Sequence, residues 1–186
     1  MCGWTKKRRM MQRYDLTAHL YDMRYAEEQN AKIKAALKNV NLKKKDLVLD
    51  VGCGTGLLFE HIADKTEATV GLDISKRTLL QAKRRAKDHL NVHLIQADGD
   101  HMPLKDKIFS YIFAMTFIQN TPRPIETLSE IKRVGKSNAF FIVTGLKRIF
   151  TLECFEKLIR DAGLEIVALH DEGLQCYVAV CSGPLH

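Results

Sequence analysis

No run in the 186 residues approaches the roughly 20 consecutive apolar side chains that a bilayer-spanning helix requires, so no membrane span is expected. The opening residues are basic but have no apolar stretch behind them, so they lack the pattern of a secretory signal, and a cytoplasmic location is expected. The five cysteines (Cys2, Cys53, Cys154, Cys176 and Cys181) are odd in number, scattered and never spaced C-x-x-C. That argues against a disulfide framework and a structural zinc site, and no metal is expected. The glycine loop at 52–56 does not run into the Gly-Lys-Ser or Gly-Lys-Thr of a Walker loop, and there is no internal repeat, linker or low-complexity tract.

What is present suits one soluble domain: 46% hydrophobic and 27% charged residues, on a chain too short for two ordinary cores. The net charge of +7 suggests nucleic acid until it is mapped. Residues 1–13 hold Lys6, Lys7, Arg8, Arg9 and Arg13 with no acid, while the rest carries 24 basic and 22 acidic residues. The expected organisation is a flexible basic arm at 1–13, followed by a single domain at 14–186 whose first part, 14–40, is a helical cover. Such an arm could contact phosphates.

From Leu47 onward, short Val-, Ile- and Phe-rich runs alternate with helical patterns, the signature of βαβ units. Strands are predicted at 47–51, 69–73, 91–96, 109–114, 138–144, 164–170 and 174–181, and helices at 56–65, 75–88, 124–134 and 151–162. In the third helix Ile125, Leu128 and Ile131 form a stripe that faces a sheet. Asp171-Glu172-Gly173 between the last two strands predicts an antiparallel hairpin.

The most informative stretch is Val48-Leu49-Asp50-Val51-Gly52-Cys53-Gly54-Thr55-Gly56. A strand that ends in an acid and runs into G-x-G-x-G must turn sharply, and the missing side chains let a ligand lie on the backbone. The third glycine comes one residue too early for the dinucleotide fingerprint G-x-G-x-x-G, which disfavours a nicotinamide oxidoreductase. Asp73 ends the second strand, where a carboxylate can take both hydroxyls of a ribose, and Asp98 follows the third. Acids at three successive strand ends point to a nucleotide-like ligand at the carboxyl edge of a parallel sheet.

Together with Gly71-Leu72-Asp73-Ile74-Ser75 and Ala97-Asp98 followed by Met102-Pro103-Leu104 and Phe109, this loop resembles the successive motifs of class I S-adenosylmethionine-dependent methyltransferases. The resemblance runs from about residue 14 to the end. It implies an α/β, Rossmann-like fold: a seven-stranded, mostly parallel sheet with helices on both faces, the last strand antiparallel, and an N-terminal helical lid. It also implies S-adenosyl-L-methionine as cofactor. In that family the loop of Gly52, Cys53, Gly54, Thr55 and Gly56, with Asp50 before it, lies beneath the methionine part. Asp73 would take the ribose, Ile74 the adenine ring, Asp98 with Gly99 the adenine amino group, and Met115 would face the sulfonium. Ser110 departs from the usual Asp after the aromatic residue, which could loosen a local turn.

Tyr14-Asp15-Leu16-Thr17-Ala18-His19-Leu20-Tyr21-Asp22 resembles the segment that folds over the cofactor in many relatives. Tyr14 is therefore counted with the cofactor residues, and Tyr21, Arg24, Tyr25 and Asn120 as candidate substrate residues. Tyrosines at helical spacing also serve as half-buried packing. Methyl transfer depends on in-line geometry more than on acid–base help, so the lack of a triad is no objection. If a base is needed, His101 is the candidate that titrates near neutrality, although a surface-loop histidine is the plainer reading. Ala114-Met115-Thr116-Phe117 lacks the Asn/Asp-Pro-Pro-Tyr/Phe motif of enzymes acting on planar amino groups, and no Pro-Cys pair occurs. The expected acceptor is a small metabolite, or RNA or protein given the open site and basic arm. The alternative is a non-catalytic S-adenosylmethionine-binding subunit or sensor.

Overall fold

The protein, a computed structural model, is described along the backbone from Gly3 to Gly183 and in the side chains of residues 4–16 and 25–183. Its chain runs α1 (Gly3–Leu37), β1 (Leu47–Val51), α2 (Phe59–Ile62), β2 (Ala68–Asp73), α3 (Lys76–Arg85), β3 (Val92–Gln96), β4 (Phe109–Ala114), α4 (Pro124–Val134), β5 (Gly135–Leu146), α5 (Leu152–Asp161), β6 (Glu165–His170) and β7 (Cys176–Ser182). The seven strands form one sheet in the order β3-β2-β1-β4-β5-β7-β6. The first five are parallel, and β7 runs antiparallel to both β5 and β6. This is the Rossmann-like architecture expected from the sequence, with its antiparallel final strand.

The period-2 alternation of the strands sorts the core into two layers. Leu49, Val51, Ile112, Phe141, Val143, Ala179 and Cys181 face α4 and α5, where Leu128, Ile131, Phe155 and Ile159 are buried. Val48, Tyr111, Phe113, Ile142, Val178 and Val180 face the opposite side, against Ile33 and Ala36 of α1 and Ile62 of α2. A smaller cluster sets Phe59 and Cys53 against Leu79 and Ala82 of α3. Phe109 and Tyr111 lie in opposite layers because the register shifts between them. Ser110, the residue that departs from the family pattern, sits in this irregularity, and its Oγ accepts from Lys136 Nζ at 3.0 Å.

Three boundaries differ from the sequence reading. The segment expected to be a loose arm at 1–13 is helical from Gly3. Residues 4–37 contain neither proline nor glycine and are rich in Lys, Arg, Met and Ala, which favours propagation of α1 through it. The helix expected at 56–65 is reduced to α2 and one 3-10 turn over Ala63–Lys65. Side chains stop it, with Thr66 Oγ1 donating to the carbonyls of Ile62 and Ala63 and Asn91 Nδ2 donating to those of Ala63 and Thr66. Strand β5 starts three residues early, directly after α4, because Gly135 pairs with Phe109.

Gly54 and Gly56 both hold left-handed backbone (φ +54° and +79°), but their surroundings differ. A Cβ on Gly54 would meet nothing, whereas on Gly56 it would lie 2.5 Å from the Phe59 ring. Gly54→Ala should therefore cost about 1–2 kcal/mol, the left-handed penalty alone. Gly56→Ala should cost about 2–4 kcal/mol, because displacement of a packed ring is added. Urea denaturation of the two variants measures the gap, and equal midpoints would contradict it.

Candidate functional site

The strand order reverses between β1 and β4, so the loops at their carboxyl ends diverge and leave a crevice, the usual ligand position in such sheets. A cleft of about 800 Å³ occupies it. The loop after β1 supplies Gly52, Gly54 and Thr55, the end of β2 supplies Asp73 and Ile74, and the loop after β3 supplies Asp98 and Gly99. Met115, Thr116, Phe117 and Asn120 come from the end of β4, and Tyr14 from α1. A second cavity of about 390 Å³ shares Gly52, Gly54, Thr55 and Met115, and adds Asp50, Cys53 and Gln29.

Asp73 organises the glycine loop. Its Oδ2 accepts from the Gly54 N–H at 2.9 Å, and its Oδ1 accepts from the Ser75 N–H at 2.8 Å. Ser75 in turn caps α3 through the Thr78 N–H and donates from its hydroxyl to Asp15 of α1. Phe117 closes the cleft floor: a Cβ on Gly52 or on Gly99 would come within 2.6 Å of its ring, so both positions are small because the ring lies between them. Tyr14 accepts from Asn120 Nδ2 at 3.0 Å, and Asn120 also donates to the Thr116 carbonyl at 3.0 Å.

The sequence-predicted residues fall into three groups. Tyr14, Gly52, Gly54, Thr55, Asp73, Ile74, Asp98, Gly99, Met115 and Asn120 meet around the main cleft. Asp50 and Cys53 line the second cavity instead, because period-2 alternation turns Asp50 toward the α1 face. Gly56 lines neither cavity, since it serves the packing of Phe59 and Ala82. Tyr25 is 40% exposed and lines neither, and the side chains of Tyr21 and Arg24 lie outside the described residues. His101 is exposed and does not border the cleft.

Sequence reasoning missed Lys7, Met10, Asp100 and Phe117, which also border the cleft. Lys7 bridges Asp98 at 2.6 Å and Asp100 at 2.5 Å. Burial pulls its ammonium down, but the hydrogen bonds it donates to Asp100 and Asp98, with their charges, outweigh burial and leave the pKa raised. One signal was available: Lys7, Met10 and Tyr14 stand at i, i+3 and i+7, on one helix face.

Burial raises the carboxyl of Asp50 to about 8, helped by the nearby charge of Asp73. Asp73 is raised as well, because burial outweighs its bonds from Ser75 and Gly54. The native state therefore keeps protons that the unfolded chain has lost between pH about 4 and 8, and stability falls as pH rises through that window. Asp50 alone contributes a slope of up to ~1.4 kcal/mol per pH unit. Asp50→Asn should flatten the pH dependence of the urea midpoint, and an unchanged slope would refute the assignment.

Residues 49–143 match the family described as a methyltransferase domain. The malonyl-[acyl-carrier protein] O-methyltransferase of Marinomonas sp. is 28% identical over 144 residues, which are 76% of this chain and 53% of that protein. The chain spans about half the length of the curated relatives it matches. A SAM dependent methyltransferase from Aquifex aeolicus superposes with a TM-score of 0.72 at 20% identity, covering 80% of this chain and 88% of that one. The [4+2]-cyclase SpnF superposes with a TM-score of 0.85 at 18% identity, covering 97% of each. At these identities the two structures establish the fold alone.

Proposed function

This chain belongs to the methyltransferase domain family, and from that premise we propose that it binds S-adenosylmethionine in the main cleft and methylates a small acceptor. The observation that carries the reading is the convergence of the glycine loop, Asp73 and Asp98 on one cleft at the sheet's switch point.

The residues present fit the donor. The open space over Gly54 admits a ligand against the backbone, and Asp73, already oriented by two backbone N–H groups, has lone pairs left for a vicinal diol. Ile74 offers an apolar surface for a flat ring, and Asp98 an acceptor for an exocyclic amino group. Asp50 and Gln29 border the second cavity, on the side where the loop would meet the amino-acid end. When bound, the donor supplies an electrophilic methyl group on a positively charged sulfur. The chain's part is to orient it, with Met115 and Phe117 walling the cleft and excluding water.

A small acceptor is favoured because α1 borders the cleft with Lys7, Met10 and Tyr14 and so walls it on that side. Only a short turn separates β5 from α5, so no inserted element covers the site from that side.

Calorimetry should show S-adenosylhomocysteine binding and no response to NAD, and the reverse pattern would overturn the reading. Asp73→Ala should weaken S-adenosylhomocysteine by about 10- to 100-fold, the worth of hydrogen bonds to a charged group. Incubation with labelled donor should put label into the small-molecule fraction of an extract, and label confined to RNA or protein would exclude a small acceptor.

A further inference from the structure

Beside the cleft, α1 buries a lysine that no packing argument requires. Lys32 is 1% exposed, among the largest fully buried side chains of the protein. Its ammonium pairs with Glu28 at 2.8 Å, one turn back on the same helix, and reaches Thr116 Oγ1 at 3.4 Å. Gln29, also buried, donates from Nε2 to the same oxygen at 3.2 Å. A buried charge is costly, and apolar replacements of such pairs are often neutral or stabilising, so Lys32 is better explained by what it does to Thr116.

Thr116 is itself unusual: a β-branched residue at φ +55° on the turn after β4, bordering the cleft next to Met115. Its conformation is held from several sides. The N–H donates to Thr144 Oγ1 at 2.6 Å, the carbonyl accepts from Asn120, and the hydroxyl lies between Gln29 and Lys32. Strain maintained in this way concentrates at sites where geometry matters.

The hydrogen-bond inventory at Thr116 is directional. A hydroxyl oxygen has two lone pairs and one proton, and here N–H donors from Gln29 and Lys32 take the lone pairs. Within the protein the remaining proton has Gln29 Oε1 at 3.4 Å, at the long limit of a hydrogen bond. All three bonds of the hydroxyl are long, so an oxygen anion at the cleft would take its proton by displacing Gln29 Oε1, with the Lys32–Glu28 pair behind it.

We propose that Thr116 is the seat of the methyl acceptor, and that Lys32 and Gln29 are positioning residues that select an acceptor arriving as an oxygen anion, a carboxylate or an equally acidic enolate or phenolate. This rests on the methyltransferase reading above. An anionic oxygen needs no base: its O–C bond forms as the donor's S–C bond breaks, the electron pair stays on sulfur, and no proton is released. One lone pair of the anion accepts from Thr116 while another faces the methyl carbon.

The test uses the full chain saturated with S-adenosylhomocysteine and follows its melting temperature with benzoate, benzamide and benzylamine, and with hexanoate, hexanamide and hexylamine. The carboxylates should raise the melting temperature in a concentration-dependent way and the amides and amines should not. Two variants separate function from folding. Lys32→Met combined with Glu28→Leu removes the buried pair without leaving a lone charge, and Thr116→Gly removes the hydroxyl while suiting the left-handed backbone. The double variant, whose residues border neither cavity, should keep S-adenosylhomocysteine affinity within about twofold by calorimetry, and both variants should lose the carboxylate response. Label transferred from the donor in a metabolite extract should reside on oxygen. Equal stabilisation by amines or amides, absence of any carboxylate response, a response that survives in both variants, or label on nitrogen would each overturn the proposal. Failure of S-adenosylhomocysteine to bind the unaltered protein would instead remove the methyltransferase reading, and this inference with it.

Discussion

The cleft depends on the carboxylate of Asp73. Its two oxygens tie the glycine loop after β1 to the start of α3 by accepting backbone N–H groups from both sides. Each contact compensates for burial, which alone would drive the carboxyl toward its neutral form. Through Ser75 the same arrangement reaches Asp15, so the helical cover is attached to the organiser of the loop it covers. A carboxylate that fixes three segments and still has lone pairs toward the cleft is both framework and ligand seat. That dual role explains why its position at the end of β2 matters more than the glycines by themselves.

Much of this was legible in the sequence because the relevant physics is local. Strand alternation and the helical stripes located the elements to within a few residues, and the acids at strand ends located the cleft. The exceptions have tertiary causes. Residues 135–137 of β5, Gly-Lys-Ser, look like a loop and become strand only because Gly135 pairs with Phe109. Gly56 belonged to the loop pattern, but its smallness serves Phe59. Lys7 read as part of a solvated charge run, and its value depends on two acids about ninety residues away. Lys32 gave no signal, since a lysine on a polar-rich helix is ordinarily solvated. Asp50 was recognised as part of the motif, yet the cavity it faces follows from strand parity, which the motif does not state.

A lysine of α1 is paired near each end of the cleft. At Asp98 and Asp100 the protein supplies acceptors, and an ammonium from α1 already occupies them. At Thr116 the hydroxyl oxygen accepts from Gln29 and from the ammonium of Lys32, which is paired with Glu28. Both cations come from α1, a helix outside the sheet whose strand ends carry the glycine loop, Asp73 and Asp98.

Strand β7 has a consequence for how the chain reaches this state. It lies between β5 and β6, and its pairing with β5 joins residues 30 to 42 positions apart, from Leu146 with Cys176 to Phe140 with Ser182. Such a pairing is slow to form, because the intervening chain must be ordered first. Until β7 inserts, β5 is an edge strand with Phe141, Ile142 and Val143 along it and no partner on that side. β6, whose only neighbour in the sheet is β7, has nothing to join. Nascent chains halted before Cys176 would therefore carry an apolar template for pairing with one another.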